Sequence, residues 1–247
     1  MHIRERQRVD IVMVARGLAP SRQKARDIIS NSSVLVDGKP VKKAGQLIRA
    51  DAPISLDTDI LNYVSRGGLK LAAALDHFKE VEIADKICLD LGASTGGFTD
   101  VLLQRGAAII YAVDVGHSQL SETIRKNPKV RNLEKTNARQ LNENIIDTPP
   151  SIIVCDVSFI SLQLALPAAL ALASPKADLL ALIKPQFEVG KAFVGKGGIV
   201  RDEHARNLAE NSICNFLQEQ GWHIRGTCPS PIEGPDGNRE TVVAAFR

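Results

Sequence analysis

The chain has 247 residues, 44% of them hydrophobic and 24% charged, which is the balance of an ordinary globular protein. Its longest apolar run, residues 164–173, is about ten residues long and holds Pro167. That is well short of the roughly 20 a membrane helix needs, so a transmembrane helix is excluded. The net charge is only +3, yet residues 1–50 carry 11 Lys/Arg against 4 Asp/Glu, and the remainder carries 20 against 24. A basic module followed by a mildly acidic body suits a polyanion-binding appendage, although a solvated basic face has the same charge. The charged start, Met1 to Arg8, lacks the apolar core of a secretory signal. Cys88, Cys155, Cys214 and Cys228 lie far apart with no C-x-x-C pair, so no disulfide framework or metal site is expected, and the cytoplasm is the natural compartment.

Helical spacing comes first. Val9, Ile11, Val12, Val14 and Leu18 share a broad face, broken by Gly17 and Pro20. Ser21 reads as the cap of a second helix with Ala25, Ile28 and Ile29 inside and Arg22, Lys24 and Arg26 around it. The period then falls to two. Val34-Leu35-Val36 and Pro40-Val41 flank the turn Asp37-Gly38, and Ile54-Ser55-Leu56 adds a further strand.

These residues, with Arg8-Val9-Asp10, Gly17 to Arg22 and Val34 to Val41, resemble the small RNA-binding domain first described in a small-subunit ribosomal protein. The resemblance spans about residues 5–56. It implies that Arg8, Arg22, Lys24, Arg26 and Lys39 face structured RNA. Asn31 and Ser32 stand where that family usually opens the hairpin with glycine; Asn tolerates left-handed backbone, so the turn is expected to survive. The boundaries drawn are a small basic RNA-binding domain at 1–58, a linker at 59–64 and a large domain at 65–247.

In the large domain, Leu69, Leu71, Ala72, Leu75 and Phe78 predict a helix. Apolar strands follow at 87–91, 109–114, 152–156 and 179–184, then a helix over about 202–220 and a strand pair near 223–228 and 241–246. Continuous apolar strands between helices predict an α/β fold whose mostly parallel sheet is covered on both faces. Ligands bind such sheets at the carboxyl ends of the strands.

Those ends carry the informative residues. Asp90-Leu91-Gly92-Ala93-Ser94-Thr95-Gly96-Gly97 closes the first strand, and Asp114 closes the second. Small residues admit a ligand to the backbone, and a carboxylate at 114 can accept both hydroxyl protons of a ribose. The G-x-G-x-x-G fingerprint of dinucleotide sites is absent. Asp90, read as ending its strand, would repel a pyrophosphate and suits the cationic amino-acid part of S-adenosylmethionine. Gly92, Ser94, Gly96, Gly97 and Asp114 are therefore expected to bind that cofactor, with Asn137 either reaching the adenine or capping a helix.

Lys70, Asp156, Lys184 and Glu240 follow in an order that closely resembles the FtsJ-type ribose 2′-O-methyltransferases, which have a Rossmann-like class I methyltransferase sheet. Together with Ser65 to Leu71, Asp90 to Asp100, Asp156 to Leu162, Ile183 to Glu188 and Gly234 to Glu240, the chain resembles the TlyA family of ribosomal RNA methyltransferases over nearly its whole length. Some members of that family are called haemolysins. The resemblance implies methyl transfer from S-adenosylmethionine to a ribose 2′-hydroxyl, of a cytidine in a structured, subunit-interface region of ribosomal RNA. It makes Lys184 the base or hydroxyl activator, Lys70 an assistant or a phosphate ligand, and Asp156 and Glu240 their orienters. A lysine serves as base only when its pKa is lowered, by burial or a neighbouring cation. Arg66 contacts RNA phosphate or fixes the Gly67-Gly68 turn. Phe159 could stack on a base, but core packing is the expectation. The partner expected is ribosomal RNA or a ribosomal subunit, without membrane or metal, and the protein a monomer or weak homo-oligomer. A nicotinamide-dependent oxidoreductase would explain the glycines and Asp114 but not the basic module or the lysines. A non-catalytic RNA-binding assembly factor would leave four matched positions without purpose.

Overall fold

A computed structural model describes residues 6–19, 21–30, 34–41, 43–56, 62–234 and 236–247. The expectations resting on Pro20, Asn31 and Ser32, residues 59–61 of the 59–64 linker and the side chain of Lys24 lie outside the described residues. Two compact units are present, Met1–Arg66 and Gly67–Arg247.

In the first unit, helices α1 (Val9–Ala15) and α2 (Arg22–Ser30) accompany two small sheets. Strand β2 (Val34–Val36) pairs antiparallel with β3 (Lys39–Pro40) and β5 (Ile54–Leu56), and β1 (Arg6–Arg8) pairs with β4 (Leu47–Arg49). Asp37 and Gly38 both have positive φ, 50° and 73°, as the two-residue hairpin requires. The core is Val9, Val12, Met13, Ala25, Ile29, Val34, Val36, Val41 and Ile48. Ile11, placed by spacing on the inner face, is instead exposed, because α1 ends after two turns and turns only one side inward.

A single buried carboxylate organises this unit's arginines. Asp10 is fully enclosed in the first turn of α1. The Arg8 Nε and Nη2 donate to its two oxygens at 3.0 Å each, Arg22 Nη2 donates at 3.2 Å, and Arg26 Nε stands 3.6 Å away. Three of the arginines expected at RNA are thus ordered around one anion, with two positive charges in excess. Lys39 lies exposed on β3.

The second unit is built on a seven-stranded sheet. Its members are β6 (Ile87–Leu91), β7 (Ile109–Val113), β8 (Val130–Leu133), β9 (Ile152–Cys155), β10 (Asp178–Ile183), β11 (His223–Pro229) and β12 (Thr241–Phe246). Their order across the sheet is β11-β12-β10-β9-β6-β7-β8. The five from β6 to β10 run parallel, while β12 is antiparallel to both β10 and β11. Helices include α3 (Gly67–His77), α4 (Gly97–Gln104), α5 (Glu122–Arg125), α6 (Leu162–Ala165), α7 (Pro167–Leu172), α8 (Pro185–Glu188) and α9 (Glu203–Glu219). The chain leaves β6 toward β7 and β8, then returns to the other side of β6 as β9. This reversal opens a crevice at the carboxyl ends of β6 and β9, where open α/β sheets take ligands.

Every residue of β9 is buried, as are four of five in β6 and in β7, which explains the unbroken apolar runs. All four cysteines are free thiols. Burial pushes Cys88 and Cys155 up to about 12, so they stay protonated and behave as small apolar groups. A bulge between Ile224 and Gly226 interrupts the outer strand β11, and Arg225 there binds Asp178 at 2.8 Å. Two of the first unit's strands, β1 and β4, were not anticipated from sequence.

The Asp10 cluster generates a pH prediction. The Arg8 hydrogen bonds hold the Asp10 carboxyl at about 2, below its usual value near 3.8. A depressed carboxylate stabilises the fold above its unfolded pKa and loses that contribution as pH falls toward the folded one. Hydrogen exchange at the β2 and β5 amides should therefore be insensitive to this group between pH 5 and 7 and accelerate as pH drops from about 4 to about 2. Asp10→Asn should cost about 1.5–3 kcal/mol at neutral pH, the weight of a charge-assisted hydrogen bond, and flatten that acid dependence. Unaltered exchange in the variant at pH 7 would mean that the arginines need no anchor.

Candidate active site

Gly92 follows β6 with φ of +82°, and a Cβ there would come 2.6 Å from the backbone oxygen of Asp156. Only glycine lets the two strand ends approach so closely. The approach places the turn 92–94 and the segment 156–160 on either side of a cavity of about 580 Å³. Its walls include Gly92, Ser94, Asp114, Val115, Thr136, Asn137, Arg139, Asp156 and Ser158.

Asp114 stands immediately after β7. Its Oδ2 accepts from the Ser94 N–H at 2.8 Å and its Oδ1 from the Gly116 N–H at 2.7 Å. Both oxygens are thereby fixed in the cavity wall, each with a lone pair left for a hydroxyl. Asn137 lines the same cavity, and its Oδ1 accepts from Arg139 N–H at 3.0 Å, so it also caps the short turn 138–140.

Three of the expected cofactor residues, Asp90, Gly96 and Gly97, are buried beneath the turn and are not among the residues that line the cavity. β6 runs on to Leu91, so Asp90 lies within the strand and not at its end. Its carboxyl is fully buried, with Oδ2 accepting from Thr99 Oγ1 at 2.6 Å and Oδ1 without a hydrogen-bond partner among the described residues. Burial pushes Asp90 up to about 7; the Thr99 bond opposes this, and the neighbouring Asp156 and Asp114 carboxylates add to it. Gly96, φ +98°, precedes α4, and a Cβ there would press on the Leu120 and Ile124 side chains at 3.0 and 3.2 Å. Gly97 begins α4 and is buried. These glycines serve the turn and its packing, while Gly92 and Ser94 face the cavity.

The four residues singled out for catalysis come together from four separate elements. Lys70 is on α3, Asp156 follows β9, Lys184 follows β10 and Glu240 precedes β12. Lys70 Nζ donates to Glu240 Oε2 at 2.5 Å and lies 3.9 Å from Asp156 Oδ2. Lys184 Nζ pairs with Asp156 Oδ1 at 2.6 Å. Carboxylates and ammonium groups thus alternate in a continuous row: Glu240, Lys70, Asp156, Lys184. Lys70, Lys184 and Glu240 are buried, and Asp156 opens to the cavity.

Sequence reasoning missed Ser158. Lys184 Nζ donates to its Oγ at 2.7 Å, and Ser158 lines the cavity. The signal was present as a hydroxyl two residues after Asp156, but no spacing rule connects it to a lysine 26 positions on. Glu188 was also missed. It accepts from Ser161 Oγ at 2.6 Å and Leu162 N–H at 2.9 Å, tying the 156–161 segment to the helix that follows Lys184. Phe159, expected in the core, is 91% exposed at φ +65° on the cavity wall, its ring 5.3 Å from that of Phe187. Arg66 is half-buried at the end of the first unit.

Comparison with known proteins agrees with this architecture. Residues 63–247 match the model of the FtsJ-like methyltransferases, and residues 7–54 match the S4 domain. The chain is 46% identical over 236 residues to the 16S/23S rRNA (cytidine-2'-O)-methyltransferase TlyA of Mycobacterium tuberculosis, covering 95% of this chain and 88% of that protein. It is 40% identical to Hemolysin A of Brachyspira hyodysenteriae, covering 96% and 98%. Among solved structures, a putative hemolysin from Streptococcus thermophilus superposes with a TM-score of 0.77 at 38% identity, over 99% of this chain and 89% of that one. An S4 domain followed by a methyltransferase sheet, and identity of this extent to TlyA, place the chain in the TlyA family of FtsJ-like methyltransferases.

Proposed function

We propose that the chain transfers a methyl group from S-adenosylmethionine to the 2′-hydroxyl of a cytidine in ribosomal RNA. The observation that carries this reading is the row Glu240–Lys70–Asp156–Lys184 beside a cavity whose wall holds Asp114. Relatives named for the same reaction support it. So does the S4 match, which coincides with the basic module. Residues 1–58 act as the RNA anchor and 65–247 as the catalytic domain, and a ribosomal substrate assigns the protein to the cytoplasm. Among the described residues no helix is long and apolar enough to cross a membrane.

The donor set fits the cofactor. Asp114 presents two oriented oxygens to a ribose, and Val115, 72% exposed beside it, offers an apolar surface to a base. Gly92 leaves backbone room, and the unpartnered Asp90 Oδ1 behind it suits a cationic group. When bound, the cofactor supplies an electrophilic methyl on a sulfonium. Lys184, once it has released its own proton, meets the substrate 2′-hydroxyl and takes its proton as the oxygen–methyl bond forms and the methyl–sulfur bond of the sulfonium breaks, leaving a neutral thioether. Asp156 and Ser158 hold the Lys184 nitrogen in place, and Glu240 with Lys70 fixes Asp156 from the other side. This positions the nucleophile, the main service an enzyme renders to an in-line displacement. The exposed Phe159 ring offers a face to a base. A nicotinamide site would leave the row of four unused, and a non-catalytic RNA-binding protein would have no need to bury it.

Four outcomes test the reading. Lys184→Ala should reduce single-turnover methyl transfer to ribosomal subunits by at least about 10²-fold, the weight of general base catalysis, and leave S-adenosylhomocysteine affinity unchanged. Lys184→Arg should not restore activity, because a guanidinium keeps its proton. Asp114→Ala should weaken S-adenosylhomocysteine binding in calorimetry by about 1.5–3 kcal/mol, the value of a charge-assisted hydrogen bond. A chain lacking residues 1–58 should bind S-adenosylhomocysteine as well as the full chain and lose most of its affinity for ribosomal RNA in filter-binding titrations. Equal RNA affinity would remove the module from its assigned role.

A further inference from the structure

Away from the cofactor cavity, the segments 190–201, 233–234 and 236–239 border an open recess of about 460 Å³, with Arg201, Arg206, Arg239 and Glu233 among its walls. The first loop contains Lys191, Lys196 and Arg201 and no acidic residue, on a body whose net charge is negative. Arg206 is committed to structure, since its Nη1 donates to the backbone oxygens of Val200 at 3.3 Å and Arg201 at 2.8 Å. Arg201 and Arg239 are exposed, and neither has an ion-pair partner among the described residues.

The recess is held rigidly. Asn238 is fully buried; its Oδ1 accepts from Val200 N–H at 2.9 Å and its Nδ2 donates to Gly198 O at 2.9 Å, locking one loop to the other. The same loop continues into Glu240. A Cβ on Gly234 would lie 2.6 Å from Glu240 Oε1, so the turn packs directly on the carboxylate that holds Lys70. Arg239 and Glu240 are adjacent in sequence: one reaches the surface and the other the catalytic row.

We propose that this recess binds a phosphodiester of the substrate RNA strand near the nucleotide being methylated, with Arg201 and Arg239 as the contacts. The proposal rests on the RNA methyltransferase reading above. Guanidinium groups match phosphate geometry with paired N–H donors. Two of them from separate loops, with the Glu233 carboxylate nearby, suit an extended strand passing through better than a small free polyanion. Holding the strand there would add binding energy shared by the ground state and the transition state, which lowers KM.

The test compares the full-length protein with Arg201→Gln/Arg239→Gln. With ribosomal subunits as substrate, KM should rise about tenfold with kcat nearly unchanged, the weight of one charge-assisted hydrogen bond. The slope of log affinity for RNA against log salt should become shallower by roughly 0.7–0.9 for each phosphate no longer neutralised. S-adenosylhomocysteine affinity and melting temperature should not move. Arg201→Lys/Arg239→Lys should retain the wild-type salt slope. Wild-type methylation with an unchanged KM and slope in the Gln variant would overturn the recess alone. A loss of inorganic phosphate binding without any change in RNA binding would also overturn it, by assigning the recess to a free anion. If the wild-type protein fails to methylate ribosomal RNA at all, the functional reading fails, and this inference with it.

Discussion

Asp156 carries the second unit's active end. Two lysines are drawn into the protein with 6% and 9% of their side chains exposed, and a carboxylate shared between them offsets the cost of burying both. Glu240, with no exposed side-chain surface, completes the balance from the other side. The backbone of Asp156 is engaged as well, because Gly92 packs against its carbonyl. One residue therefore joins the row of lysines and carboxylates to the turn 92–94. Charge pairing fixes its side chain and steric closeness fixes its main chain. Removing either constraint would release both halves of the site.

Legibility in the sequence followed the strength of the physical signal. Strands β6, β7, β9 and β10 are buried on both faces, so their apolar runs announce them, and the reversal of order around β6 brings their ends together. Strands β1 and β4 are three residues each, Arg-Gln-Arg and Leu-Ile-Arg, too short and too polar to alternate visibly. Lys70, Asp156, Lys184 and Glu240 were identifiable because their order matches a family pattern, and their contacts then arise from separate elements over as many as 170 positions. Ser158 had no such pattern. Glycine is ambiguous in principle: it marks a place where a side chain cannot fit, and says nothing of what stands there. At Gly92 the obstacle is the main chain of Asp156, and at Gly96 it is Leu120 and Ile124. Phe159 shows the opposite limit, since an aromatic ring in an apolar stretch reads as core until a left-handed backbone turns it outward.

The two units treat charge differently. In the first, one enclosed anion organises a surplus of cations and keeps their guanidinium groups in fixed places, which costs less entropy on binding than ordering free side chains. In the second, Lys70 and Lys184 are enclosed and matched by Asp156 and Glu240, and their positive charge acts locally to fix geometry. Phosphate contacts set register on a nucleic acid without reading its bases. Around the cavity, Asp156, Ser158 and Phe159 stand within four positions of one another on the same short segment.

The bulge in β11 has a bearing on solubility. An open sheet ends in strands whose unpaired N–H and C=O groups can template another chain. Here one border is twisted at Ile224 and Gly226, with the Arg225 guanidinium lying 4.4 Å over the Phe246 ring and tied to Asp178. The opposite border, β8, is only four residues long and places exposed Arg131 and Asn132 at its centre. Neither border presents a long, flat, apolar rail. Copies of the chain that crowd together therefore meet no such rail along which this sheet could zip into fibres.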